Sequence, residues 1–518
     1  MTAAARSKAF DRTTLAFVAV LIAATTLRIW ALQAAPLNLD HNEAAFWAWS
    51  RTPAWGYLNA PPMLTWAIWA STHAFGAADW TVRLAAPLAQ AATALALYTL
   101  GRNIYGAKSG FWTGAVWLLT PGVWYSSTVI SADVLLLPFV SLALLATWRM
   151  VQTRAMAWAI VLGVSVGLGF NAAYAVLYFP LGLLLAARRS QPVCEALKGG
   201  RGLAALAIAL ALAAPNIIWN AQHSFESAQQ AATNLNINFT NLFNLSRIVE
   251  FMTGQALLVG PIVFFVLLGL FARAVGRAGG QSDEDRFLLA FTLPPLMLVT
   301  AFAIIARADP SWPITGYPAA LTWLVGSLIG TASGKRLLAA ALVSNVVLGG
   351  YIAFGFFHPS SAGVIGSARE SAAWRETAHA IALRATPLRG ERPFNAVVID
   401  NRDAFYQLNF YWTRERAVSP DLPPLRLWML QGPTQTAPEG ADPLHAGDGA
   451  RVLVAHTTPN LLPFVAGDFT TFRAVDHLQV PLGGGAVRTI DLSIGEGYAP
   501  AHRDGAFMER LQPHSQSN

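Results

Sequence analysis

The chain has 518 residues, of which 54% are hydrophobic and only 12% charged, against roughly 25% charged in an ordinary soluble domain. That balance excludes a string of soluble domains, a disordered chain and a collagen-like repeat, because too few charges exist to coat them in water. A single cysteine, Cys194, excludes an internal disulfide framework and a cysteine metal cluster, and the net charge of +7 is accounted for below without a nucleic-acid partner.

The apolar excess lies in residues 1–357, while 358–518 has the composition of a soluble chain. The expected fold class is mostly α: a polytopic transmembrane helix bundle, 1–357, followed by a soluble α/β domain, 358–518. A spanning helix needs about 20 mostly apolar residues, because lipid offers no partner to a backbone N–H or C=O. Windows of that kind fall near 14–34, 83–101, 110–128, 133–149, 156–171, 173–187, 202–219, 253–273, 286–306, 313–331 and 336–357, eleven in all. The first run is longer than a signal-peptide core and is read as an uncleaved anchor.

With the N-terminus in the cytoplasm, the inner loops carry sixteen Lys and Arg and the outer loops four: Arg51, Arg83, Arg247 and Arg307. That asymmetry obeys the positive-inside rule and explains the basic balance as a topology signal. The same parity puts residues 358–518 outside the cytoplasm, and the expected location is a bacterial inner membrane with a periplasmic C-terminal domain.

Two outer loops are too long to be mere connections, 35–82 and 220–252. The first holds Asp40, His41, Asn42, Glu43, Arg51 and Asp79 among seven Trp or Tyr residues, with short amphipathic helices expected at 43–51 and 62–75. The aromatics suit a membrane interface, but an anchor has no need of the acidic cluster. The second is rich in asparagine, at 234, 236, 238, 241 and 244, amides that suit sugar hydroxyls and ordinary polar loops alike. Asp133 opens a span, where a carboxylate is costly unless it faces water or a partner, or else caps the helix. Arg28, Arg83, Arg307 and Asp309 also sit at outer ends of spans. Gathered around a cavity, such residues suit a lipid phosphate, with arginine as its partner and a carboxylate as the base for an acceptor hydroxyl. No His pair has metal-ligand spacing, and neither metal nor cofactor is expected.

In the tail, an amphipathic helix is expected at 367–385, a buried strand at 396–401, a helix over DAFYQLNFYW, and strands at RLWML, RVLVAHTT and TIDLSIGEGY. GGGA at 483–486 reads as a hairpin turn rather than a phosphate loop. Asp400, Asn401 and Asp403 form a polar strand end.

The run NEAAFWAWSRTPAWGYLNAPPM resembles the first external loop of the family 39 glycosyltransferases, membrane enzymes of the C superfamily that use polyprenyl-phosphate sugars. Matching residues are Glu43, Ala44, Trp47, Trp49, Ser50, Trp55, Gly56, Tyr57, Pro61, Pro62 and Met63, then Val82-Arg83-Leu84, Asp133, the segment Pro215–His223, Pro310-Ser311-Trp312-Pro313 and Tyr317. The segment FYQLNFY at 405–411 is similar to one that follows the bundle in related proteins. The family's loop aspartate aligns with Asn42, its His or Lys before Pro61 with Ala60, and a Lys near the fifth span with Ala173.

The resemblance implies inverting transfer of a sugar from a polyprenyl-phosphate donor to a lipid or glycan acceptor at the periplasmic face. An amide cannot be a general base, so the chemistry falls to Glu43, Asp40 or Asp133, or to an acceptor already anionic. Asn42, Arg83, Tyr57, Trp312, Asp309 and Arg307 are the expected substrate-binding residues. The alternatives are a transporter or flippase, against which the polar residues gather at one face rather than the midplane, and a non-catalytic lipid-sugar-binding relative.

Overall fold

The computed structural model describes residues 11–507, apart from 58–59, 224, 226–243, 277–279, 359–370, 388–390, 431–439, 484 and 504–506. The helices begin with α1 (Arg12–Ala34), α2 (His41–Ser50), α3 (Met63–Phe75), α4 (Asp79–Arg83), α5 (Ala85–Tyr105), α6 (Ala107–Leu119), α7 (Pro121–Ser126) and α8 (Ala132–Thr153). They continue with α9 (Met156–Ala172), α10 (Tyr178–Arg189), α11 (Gln191–Leu197), α12 (Arg201–Gln222), α13 (Leu245–Val259), α14 (Pro261–Gly276) and α15 (Asp283–Ile305). Next come α16 (Tyr317–Ile329), α17 (Ala332–Phe357), α18 (Trp374–Ala385), strand β1 (Ala396–Ile399) and α19 (Arg402–Val418). The chain closes with β2 (Leu425–Leu427), β3 (Arg451–His456), α20 (Leu462–Ala466), β4 (Phe469–Gly483) and β5 (Ala486–Tyr498). They fall into two compact units, one of residues up to Ala34 with Ala54–Ala353, the other of Ala35–Pro53 with Phe354 onward.

Among the described residues, six helices are long and apolar enough to cross a membrane: α1, the joined Asp79–Tyr105, α8, α12, α15 and α17. This is a multi-pass membrane protein. The expected count of about eleven spans is not confirmed by the described helices. The windows at 156–171 and 313–331 hold shorter apolar helices, 110–128 divides at Pro121 into α6 and α7, and 173–187 enters α10 through a turn of 3-10 helix at Tyr174–Leu177. The window at 253–273 straddles the junction of α13 and α14, which meet at 109°, the geometry of a broken span or a re-entrant loop.

That break has a local cause. Gly260 takes φ +95°, and a Cβ there would lie 1.8 Å from Asn345 Oδ1. Pro261 follows and has no N–H to continue the helix. The carbonyl of Val259, left without a helical partner, accepts a hydrogen bond from Asn345 Nδ2 of α17 at 3.2 Å. Asn345 is fully buried, so the bend is fixed by its side chain rather than solvated.

The second unit is built on a five-stranded sheet in the order β2-β1-β3-β5-β4. β1 runs parallel to both β2 and β3, with Val397 opposite Leu425 and Leu453. β5 is antiparallel to β3 and β4. β1 and β3 are almost wholly buried and read as continuous apolar runs, as strands covered on both faces do. Gly483 pairs with Ala486 across the β4–β5 turn, so the 483–486 segment is the hairpin its sequence predicts. Of the expected helix at 367–385, residues 367–370 lie outside the described residues and α18 starts at Trp374.

Residues 35–53 pack on α19. Asp40 caps α2, its side chain accepting from the Glu43 N–H at 2.9 Å, while Glu43 Oε2 accepts from the Asp40 N–H at 3.2 Å, a reciprocal capping box. Trp47 packs edge-on against Phe410 with ring centroids 4.9 Å apart. Trp49 Nε1 donates to the Tyr406 hydroxyl at 3.3 Å, and the Tyr411 hydroxyl accepts from the Leu39 N–H at 2.9 Å. The FYQLNFY segment is therefore the face that holds the acidic loop. A buried pair closes the far side: Arg503 donates to both oxygens of Asp468, which also accepts from Trp428 Nε1 at 2.8 Å.

Candidate active site

Asp133 stands in the first turn of α8. The cap of that helix is Ser131, whose hydroxyl accepts from the Val134 N–H, so capping does not account for Asp133. Its Oδ2 instead accepts a hydrogen bond from Ser311 Oγ at 3.3 Å. The carboxylate lines a cavity of about 380 Å³ shared with Tyr174, Tyr178, Leu181 and Trp312. That volume lies within the range of about 300–1,000 Å³ usual for small-molecule sites. One carboxylate among three aromatic rings is a composition suited to a sugar, with rings for its apolar faces and an acceptor for its hydroxyls.

Each wall is held by a separate device. The segment Ala306–Gly316 connects α15 to α16. Within it the Asp309 carboxylate accepts from the Ser311 N–H at 2.7 Å, forming a turn that presents Ser311 and Trp312. Gln255 of α13 ties the same segment to the start of α16: Nε2 donates to the Pro310 carbonyl at 2.8 Å, and Oε1 accepts from the Tyr317 hydroxyl.

On the opposite wall, the Tyr174 hydroxyl donates to Asn216 Oδ1 and accepts from Asn220 Nδ2, both at 3.1 Å. Asn216 Nδ2 in turn donates to the Trp55 carbonyl at 2.7 Å. A Cβ on Gly56 would come within 2.4 Å of the Trp219 ring and 2.9 Å of Asn216 Nδ2. Trp-Gly-Tyr in the outer loop and Pro-Asn-Ile-Ile-Trp-Asn at the end of α12 are thus two halves of one contact.

The other expected site residues distribute as follows. Arg83 ends α4 and is 3% exposed. Tyr57 is buried, its hydroxyl accepting from the Ala54 N–H at 3.0 Å, and it pairs with Ala60 through two backbone hydrogen bonds. Arg307 is exposed and pairs with Glu250 at 2.6 Å. Asp40, exposed Asn42 and Glu43, which is 1% exposed, lie in the second unit on α2. Arg28 donates to the Leu118 carbonyl at 2.5 Å rather than to a carboxylate. Asn244 caps α13, its side chain accepting from the Ser246 N–H, and Asn234, Asn236, Asn238 and Asn241 lie outside the described residues.

Of the residues around this cavity, the sequence singled out Asp133, Asp309 and Trp312 but not Tyr174, Tyr178 and Gln255. The tyrosines sit in a run apolar enough to read as span, and only a break in helical period at 173–177 could have marked them. Among the described residues no three His, Cys, Asp or Glu side chains gather as a metal-holding group.

Comparison with known proteins bears on this arrangement. Residues 59–219 match the family model described as dolichyl-phosphate-mannose-protein mannosyltransferase. The lipid A galacturonosyltransferase RgtD of Rhizobium johnstonii is 35% identical over 279 residues, 54% of this chain and 58% of that protein. The chain thus spans just under three-fifths of the length of the curated relative it matches. Crystal structures of ArnT from Cupriavidus metallidurans, apo and bound to undecaprenyl phosphate, each superpose with a TM-score of 0.62 at 15% identity. The apo form covers 92% of this chain and 98% of ArnT, and the bound form 94% and 98%. The chain carries the fold of ArnT, and its resemblance to the family 39 glycosyltransferases is borne out.

Proposed function

We propose that the chain is an inner-membrane glycosyltransferase that moves a sugar from a polyprenyl phosphate to a lipid or lipopolysaccharide acceptor at the periplasmic face, with inversion. The observation that carries this reading is Asp133, a carboxylate hydrogen-bonded by Ser311 in a cavity walled by Tyr174, Tyr178 and Trp312. The relative named for lipid A and the ArnT structure with undecaprenyl phosphate support the choice of acceptor and donor.

In this mechanism the acceptor hydroxyl oxygen attacks the anomeric carbon from the face opposite the phosphate. The bond from that carbon to the phosphate oxygen breaks, its electron pair leaves with the polyprenyl phosphate, and the hydroxyl proton passes to Asp133. Trp312 and the two tyrosines orient the sugar ring. Arg83 supplies positive charge for the phosphate, with Arg307 and Asp309 on the approach. Asp40 and Glu43 shape the segment 35–53 through the cap of α2, on which Asn42 is exposed, and Tyr57 holds the Trp55–Ala60 turn.

The test uses the full chain in nanodiscs with a polyprenyl-phosphate sugar and lipid A. Wild type transfers sugar, Asp133→Asn loses about 10²–10⁴ in kcat as expected for a removed general base, and Arg83→Ala loses transfer at low donor concentration first. Glu43→Gln keeps an acceptor for the Asp40 N–H, so any loss in that variant reports charge rather than folding. No transfer by wild type, or equal rates in Asp133→Asn, ends the proposal.

A further inference from the structure

A second cavity lies wholly within the soluble unit. It has a volume of about 570 Å³ and opens where Asn401 and Thr457 leave the carboxyl ends of β1 and β3. The chain passes from β1 to β2 on one side of β1 and then returns to β3 on the other. In open α/β sheets that reversal is the place where ligands bind, because the connections diverge and leave a crevice.

The crevice is preorganised. Asp400, fully buried at the end of β1, accepts from the Thr457 N–H at 2.9 Å, the Thr457 hydroxyl at 2.8 Å and the Thr458 N–H at 3.2 Å. This clamps the two strand ends together and leaves the Thr457 oxygen as an acceptor at the cavity wall. Asn401 Oδ1 caps α19 through the Asp403 and Ala404 N–H groups.

Across the crevice, the Arg488 guanidinium lies 3.8 Å from the centre of the Trp374 ring. Its Nη1 donates to the Ala372 carbonyl at 2.8 Å and to Thr377 Oγ1 at 3.2 Å. Burial lowers its pKa to about 10, with Glu376 opposing the shift, so at neutral pH it is a positioned cation. Thr489, exposed on β5, and Gln407, buried on α19, add hydroxyl and amide groups to the wall, which also carries the Asp403 carboxylate and the His41 ring.

We propose that this crevice binds the saccharide portion of the glycolipid acceptor, with Arg488 facing a phosphate or carboxylate on the sugar and Asn401, Thr457, Gln407 and Thr489 facing its hydroxyls. Planar amides and hydroxyls around an aromatic-backed guanidinium match a polyol that carries an acidic substituent. The proposal rests on the reading of the chain as a glycosyltransferase with a glycolipid acceptor, and gives the soluble unit a part in acceptor choice.

The experiment is binding, measured by ligand-observed NMR on the full chain in nanodiscs. The probes are the deacylated, bisphosphorylated glucosamine disaccharide, the same disaccharide without phosphates, and intact lipid A in the bilayer. The bisphosphorylated probe should saturate, the unphosphorylated one should bind at least tenfold more weakly, and Arg488→Gln should remove that difference. Intact lipid A should compete for the same site; failure to compete means the crevice serves a free sugar phosphate and overturns the acceptor assignment. Because Arg488 also packs on Trp374, Thr489→Leu provides a second variant that fills the crevice from an exposed position and should also abolish binding. No saturable binding by wild type, or undiminished binding in both variants at unchanged Tm, overturns the site. Transfer activity lost through Asp133→Asn but with this binding intact separates failure here from failure of the catalytic proposal.

Discussion

Asp133 gains its role from its neighbours. A carboxylate at the head of an apolar helix is expensive to keep unless something polar faces it, and here Ser311 faces it from a turn 178 residues away in sequence. The opposite wall depends on an absence, the missing Cβ of Gly56. Alanine at that position would force Trp219 and Asn216 apart, and Asn216 is the residue that fixes the Tyr174 hydroxyl. Gly56→Ala should therefore destabilise the chain by about 1–3 kcal/mol, the usual cost of overpacking, and lower transfer as Tyr174 shifts. Thermal unfolding in detergent, paired with the nanodisc transfer assay, checks both. A variant with wild-type Tm and rate would mean that the loop has room that the geometry denies. Sequence marked Gly56 and Asn216 only as parts of two separate motifs; that they touch is a fact of the fold.

At the scale of elements, hydropathy placed most helices within a few residues, because burial in lipid needs a sustained apolar run and such runs have visible ends. It failed at α13 and α14. The apolar run continues through Gly260 from one helix into the next, and composition carries no information about a change in axis direction. Only the Gly-Pro pair marked the break. The bend rests on Asn345, which serves the Val259 carbonyl and blocks any side chain at position 260. Asn345→Leu should cost about 1–3 kcal/mol by leaving that carbonyl buried and unpaired. Gly260→Ala should cost at least as much, through both the clash and the positive φ. The two are in contact, so their effects should not add: Asn345→Ala removes the clashing oxygen, and Gly260→Ala in that background should cost less than it does alone. Strict additivity in chemical denaturation would rule out this account of the bend.

For the whole molecule, the strongest sequence signal was charge placement, sixteen basic residues against four on alternate sides of the expected spans. Helix breaks and short helices do not remove that signal, which rests on where Lys and Arg fall in the sequence. What sequence could not show was that residues 35–53 belong with the soluble unit. That association is made by Trp47, Trp49 and Leu39 with Phe410, Tyr406 and Tyr411, pairs more than 350 residues apart that no local pattern reveals. On the topology proposed from the charge signal, the loop holding Cys194 faces the cytoplasm and Val418 of the second unit faces the periplasm. Cys194 is the sole cysteine, so it reports its own loop directly, and Cys194→Ser gives a background for a single probe elsewhere. Val418 is 84% exposed and tolerates replacement at the end of α19. In intact spheroplasts a membrane-impermeant maleimide should label Val418→Cys in the Cys194→Ser background. It should leave wild-type Cys194 unlabelled until the membrane is broken. The reverse pattern would invert the topology, and with it the face of the membrane on which Asp133 and the soluble crevice meet their substrates.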